Sequence, residues 1–111
     1  MPANRRRGEI AWTIDGQERV LCLTLGALAE LEDAFAAESL PALARRFSTG
    51  DLKAADLTRI IGAGLRGAGQ EATDAAVAQM RIEGGAAGAA ELAASLLSAA
   101  FETQGSATPD P

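Results

Sequence analysis

Ile10-Ala11-Trp12-Thr13-Ile14-Asp15-Gly16-Gln17-Glu18-Arg19-Val20-Leu21-Cys22-Leu23 is the stretch whose reading decides the fold. Across residues 8–14, strict alternation puts Ile10, Trp12 and Ile14 on one face, the pattern of a half-buried strand. Asp15-Gly16 between two apolar runs is a hairpin signal, because glycine takes positive φ without steric cost. Residues 17–23 form the second strand, with Val20, Leu21, Cys22 and Leu23 apolar on both faces. A two-residue loop sets Trp12 opposite Arg19. A three-residue loop sets it opposite Val20 and pairs the apolar faces better. The sequence leaves both registers open.

A two-stranded hairpin is marginal alone and needs cover. The chain beyond Leu23 reads as helical. Thr24 is placed to cap a helix over 25–37, with Leu25, Leu28, Leu31 and Phe35 as its apolar stripe. Ser39 caps a short second helix, Leu40 to Phe47, with Pro41 in its first turn and Arg45 and Arg46 in its last. A third helix runs from about Lys53 to Gly67 and buries Leu57, Ile60, Ile61 and Leu65. A fourth starts at Thr73 or Asp74 and runs to about Ile82. Gly84-Gly85 breaks the chain before a fifth, Ala87 to Phe101, with Leu92, Leu96, Leu97 and Phe101. The fold class is therefore α+β and mainly α: an N-terminal β-hairpin followed by four or five short helices packed on it. Residues 1–7 read as a flexible basic arm, 8–103 as a single domain, and 104–111 as a tail disordered by composition.

Composition narrows the function. The chain has 111 residues, a formal net charge of −5 and no histidine, tyrosine or second cysteine. Without histidine, neither a Ser-His-Asp nor a Cys-His nucleophile pair is available, and no imidazole can serve as a base near neutral pH. One cysteine supplies neither an internal disulfide nor a thiolate metal cage. Cys22 reads as a small core residue and Trp12 as the hairpin's anchor. The acidic balance disfavours nucleic acid and anionic membranes as partners, and Arg5-Arg6-Arg7 lacks interleaved aromatics for stacking bases. No apolar run is long enough to span a membrane, and no signal peptide is evident, so a cytoplasmic location is expected. No cofactor and no metal is implied.

Two motifs invite a chemical reading. Gly62-Ala63-Gly64-Leu65-Arg66-Gly67 fits the dinucleotide fingerprint G-x-G-x-x-G, with Glu83 about 20 residues beyond. The residues before Gly62 have helical spacing, however, and too little chain remains after it for further parallel strands. The expectation is a helix whose small residues permit close packing. Glu30, Glu32 and Asp33 form the densest acidic cluster; only Glu30 and Asp33 have helical i, i+3 spacing, and the group reads as a solvated helix face.

The runs Arg5-Arg6-Arg7-Gly8-Glu9, Leu21-Cys22-Leu23-Thr24-Leu25-Gly26-Ala27-Leu28-Ala29-Glu30-Leu31-Glu32 and Ile60-Ile61-Gly62-Ala63-Gly64-Leu65-Arg66-Gly67-Ala68-Gly69 carry a resemblance. Over roughly residues 4–101 the chain resembles the small tail protein family of gene transfer agents, phage-like particles of alphaproteobacteria. That family has been described both as a tail tube protein and as a tail assembly chaperone. The resemblance transfers no catalytic residue. It implies a non-enzymatic protein, with the tail tape-measure protein and/or the tail tube protein as partners. A chaperone suits one hairpin and several helices better than a tube subunit, which is strand-rich. The alternatives are a structural, tube-associated subunit and, more remotely, a nucleotide-binding enzyme. The expected partner contacts are Leu92, Leu96 and Phe101, on the last helix, through burial of apolar surface.

Overall fold

Asp15 and Gly16 both hold positive φ, 55° and 78°, as a two-residue type I′ turn requires. That turn sets the register. Strands β1 (Glu9–Ile14) and β2 (Gln17–Cys22) pair antiparallel with Trp12 opposite Arg19 and Ile10 opposite Leu21. Turn geometry thus outweighs the better apolar match of the three-residue loop. Arg19 is accommodated because its Nη1 donates to Gln70 Oε1 at 2.7 Å, and Gln70 Nε2 donates back to the Val20 carbonyl at 2.9 Å. Ile14 and Leu21 are fully buried, whereas Trp12 is only half-buried, so the anchor of the hairpin is aliphatic. Cys22 is half-buried and takes part in no disulfide.

The computed structural model describes residues 8–35, 42, 45–46 and 53–105, with side chains through residue 100. Helix α1 spans Leu25–Ala34, and Thr24 caps it as expected, its Oγ1 accepting the Ala27 N–H at 3.1 Å. Leu28 and Leu31 are buried, but Leu25 is 73% exposed. Three-residue steps explain this: each falls about 60° short of a full turn, so Leu25 drifts about 120° from Leu31. The helix expected over 40–47 lies outside the described residues, except that Ala42, Arg45 and Arg46 are helical. The arm over 1–7 lies outside them too. Of the tail, Gln104 and Gly105 are described and continue the last helix.

Helix α2 (Ala54–Gly67) is the centre of the fold and touches α1, β2 and both later helices. Its first turn is held by Asp56, which accepts the Lys53 N–H at 3.3 Å and pairs with Arg46. Helix α3 (Asp74–Ala78) is capped by Thr73 and is shorter than expected. The sequence pattern extends it to Ile82; the structure ends it at Ala78 and returns the chain to the hairpin. Asp15 N–H donates to the Arg81 carbonyl, Arg81 N–H donates to Asp15 Oδ1, and Glu83 N–H donates to the Thr13 carbonyl, at 2.8, 2.8 and 3.0 Å. Ile14 and Ile82 form a single antiparallel bridge. These three bonds to the hairpin stand in place of the roughly one bond per residue that continued helix would bring. Helix α4 (Gly85–Gly105) comes directly after, beginning two residues earlier than expected. Gly84, at φ 92°, makes the reversal that frees the helix to start.

The core lies between the hairpin, α1, α2 and α4. Leu28, Leu31, Ile60, Ile61, Leu65, Leu92, Leu96 and Leu97 complete it with Ile14 and Leu21. Each such side chain contributes roughly 1.5–3 kcal/mol on burial.

Candidate partner-binding surface

The G-x-G-x-x-G segment lies wholly inside α2, in its last turns, with no strand leading into it. A pyrophosphate site needs these glycines at a strand-to-helix turn, where N–H groups are free. Here each glycine has a packing cause. A Cβ on Gly67 would sit 2.0 Å from the Cys22 carbonyl oxygen. A Cβ on Gly64 would meet Leu96 Cδ1 at 3.0 Å and Leu21 at 3.3 Å, so this glycine lets α2, α4 and β2 converge. Gly62 faces the Asp74 carboxylate and the Arg66 guanidinium.

The acidic cluster is divided by the fold. Glu30 accepts from Arg66 Nη2 at 2.8 Å, whereas Glu32 and Asp33 are exposed. Arg66 also donates to the Ala72 carbonyl at 2.6 Å and to Asp74 at 3.3 Å, joining α1, α2 and α3. The hydrogen bond to Glu30 holds its guanidinium above the ordinary value, against partial burial. Among the described residues, no group of three or more His, Cys, Asp or Glu is placed to hold a metal ion. No helix among them is long and apolar enough to cross a membrane.

Leu92 and Leu96 are 0% exposed. Their side chains lie within this chain's own core, Leu96 against Gly64 and Leu21. In this fold neither is accessible to a partner. Phe101 belongs to α4, and its side chain lies outside the described residues. The apolar surface that is accessible lies one face away. It is an open groove of about 510 Å³ between α2, the segment after α3, and the start of α4. Ile61, Val77 and Ala89 are its buried floor; Leu57, Met80 and Ile82 are half-buried walls; Ala54, Ala86 and Arg81 stand exposed at the rim. Thr58 and Arg81 are its polar side chains. It suits the apolar face of an amphipathic helix, and Met80 brings an adaptable thioether.

The comparison with known families completes this picture. A family model described as phage tail tube protein, GTA-gp10, matches residues 7–103. The chain belongs to that family. The resemblance drawn from the sequence is therefore shown, and the role of this GTA-gp10 family member is tail-related. No curated protein and no solved structure matches the chain. In the family member's fold, the groove joins residues from three separated stretches, 54–61, 77–82 and 85–89. Sequence reasoning missed it for that reason. The one available signal was Val77, Met80 and Ile82, apolar residues that do not all fit a single helical face.

Proposed function

We propose that this protein is a tail assembly chaperone that binds helical segments of the tape-measure protein in the groove between α2 and α4. The reading rests above all on that groove: an open, mainly apolar trough, flanked by helices, with Thr58 and Arg81 as its polar side chains. A long helical partner presents apolar side chains at i, i+3, i+4 and i+7, and a trough of this form buries such a face. Tube subunits completing a ring around the tape measure would then displace the chaperone. No residue is assigned a catalytic role.

Co-purification of the full chain with the tape-measure protein tests the reading, with Ala86→Glu as the control. Ala86 is exposed at the groove rim in the first turn of α4, where a carboxylate is compatible with the helix dipole. The variant is expected to fold normally and to lose at least about tenfold in affinity, since it sets a charge against an apolar partner face. Equal capture by wild type and variant would sink the site. Mass spectrometry of purified particles separates chaperone from tail subunit: the chaperone is absent, whereas a structural subunit is present at stoichiometric level. The subunit reading is favoured by the family's own description as a tube protein.

A further inference from the structure

Arg81 is the charged side chain of the groove between α2 and α4. Its backbone is held twice: the N–H donates to Asp15 Oδ1 and the carbonyl accepts the Asp15 N–H, each at 2.8 Å. Its side chain is not held. Among the described residues, no hydrogen bond, ion pair or ring contact engages the guanidinium, although Arg19, Arg46 and Arg66 each have a side-chain partner. Asp15 turns its carboxylate to the Arg81 main chain, and Glu83, two residues on, lines a different trough, beside Trp12.

The groove around it gives that charge a setting. Along α2 the groove runs from Ala54 to Ile61, about 10 Å or two helical turns. A helix lying in it buries a face of that length, with apolar side chains at i, i+3 or i+4, and i+7. The described lining holds no carboxylate, and Arg81, exposed at the rim, is its single charge. An arginine at such an edge lays its methylene stem on apolar surface and keeps its head in water. A planar fork of donors with no acceptor in the fold matches a carboxylate on whatever covers the groove. The chain's net charge of −5 acts against acidic partners at long range, but salt screens that field beyond about 8 Å, and the groove itself is positive.

We propose that Arg81 selects what the groove takes: an amphipathic helix with an aspartate or glutamate bordering its apolar stripe, that carboxylate paired with the Arg81 guanidinium. The inference rests on reading the groove as a helix-binding site and adds the partner's charge to it. Clasped to the hairpin turn, Arg81 offers its head from a fixed point. Apolar contacts alone let a helix slide by a turn, because its stripe repeats every three or four residues. One charge pair at a fixed point sets the register as well as the choice of partner. A helix with lysine or arginine at that border meets like charge and is rejected.

The test is binding of overlapping synthetic segments of the tape-measure protein to the purified full chain, read by fluorescence anisotropy. Wild type is compared with Arg81→Gln, Arg81→Glu and Ala86→Glu. The clasp to Asp15 uses the Arg81 main chain, not its side chain, and circular dichroism checks that each variant folds. Segments that bind wild type are expected to carry an acid beside the apolar stripe and to bind more weakly as salt rises. Arg81→Gln is expected to weaken them by about fivefold, and Arg81→Glu by about tenfold or more. Changing the segment's acid to arginine is expected to weaken its binding to wild type and restore its binding to Arg81→Glu. Segments that lose Ala86→Glu but hold both Arg81 variants as tightly as wild type would overturn the role of Arg81 and leave the groove reading standing. Bound segments without a bordering acid would do the same. If no segment binds, both fail. Self-association of the chain that Ala86→Glu abolishes would make a second copy the occupant and overturn both as well.

Discussion

Replacing Gly67 by alanine puts the packing of α2 against β2 to a sharp test. The new Cβ would lie 2.0 Å from the Cys22 carbonyl oxygen and 3.2 Å from its carbon. Both are backbone atoms of β2, so no side chain can swing away. The last turn of α2 and the end of β2 must separate by more than an ångström. Leu65 and Leu21, both at 0% exposure, flank the contact, and the separation loosens them. Overpacking of this kind costs about 1–3 kcal/mol, and the absence of any side chain able to yield puts Gly67 near the upper end. Alanine's better helix propensity returns about 0.5–1 kcal/mol, leaving a net loss of about 2 kcal/mol. In a domain of this size that lowers the melting temperature by about 8–16 °C. Gly62→Ala is the matched control. Its Cβ meets the tip of the Asp74 side chain and the Arg66 guanidinium, both able to move, so its change is expected to stay within about 1 kcal/mol. Gly64→Ala, against Leu96 and Leu21, falls between. Thermal and urea denaturation followed by circular dichroism give the ranking. A Gly67→Ala variant as stable as wild type, or a Gly62→Ala variant that loses as much as Gly67→Ala, would show that backbone contact does not set the cost.

Other outcomes rest on the same contacts. Leu96→Asp buries an unpaired carboxylate between Gly64 and Leu21; a loss above about 4 kcal/mol is expected, seen as a largely unfolded chain, and a cooperative melt near the wild-type temperature would contradict it. Arg66→Ala is expected to cost about 1–2 kcal/mol, discounted because the ion pairs to Glu30 and Asp74 are partly exposed. Arg66→Lys is expected to recover little, since one ammonium cannot span the three acceptors; full recovery in urea melts would argue against the fork. Because the folded protein raises the Arg66 pKa, that stabilisation is complete below the unfolded arginine value and fades only as pH rises through the folded one. The Arg66→Ala deficit is therefore expected to be flat across neutral pH, and melts at several neutral pH values check it. Trp12→Phe removes the indole N–H that donates to the Glu83 carbonyl at 3.1 Å and is expected to cost about 1 kcal/mol, with weakened amide protection at Glu83 in hydrogen exchange.

Local signals were legible wherever a few neighbouring residues decide the outcome. Alternation marked the first strand and the Asp15-Gly16 turn the second, and Thr24 and Thr73 capped the helices they preceded. The reading ran out where distant residues compete. The segment after Ala78 has enough apolar residues to continue a helix, but its partners are Asp15 and Thr13, 66 positions from Arg81 and 70 from Glu83. The register turned on the dihedral angles of Asp15 and Gly16, whereas side-chain pairing argued for the other loop. The site was less legible still. A leucine stripe shows that a helix face is buried, but Leu92 and Leu96 look the same in sequence whether their own core or a partner covers them. The trough floored by Ile61, Val77 and Ala89 exists only once three separated stretches meet.

The clasp between the hairpin and residues 81–83 also bears on how the chain is made. Asp15 emerges from the ribosome 66 residues before Arg81. At about 5–20 residues per second, that interval is roughly 3–13 s. Through it, the hairpin carries Ile10, Ile14 and Leu21 with neither clasp nor α4 to cover them, and a lone hairpin is marginal in water. Folding cannot close until synthesis has passed Glu83 and made α4. Nascent chains stalled before that point are expected to expose apolar surface and depend on cellular quality control, while the completed chain does not.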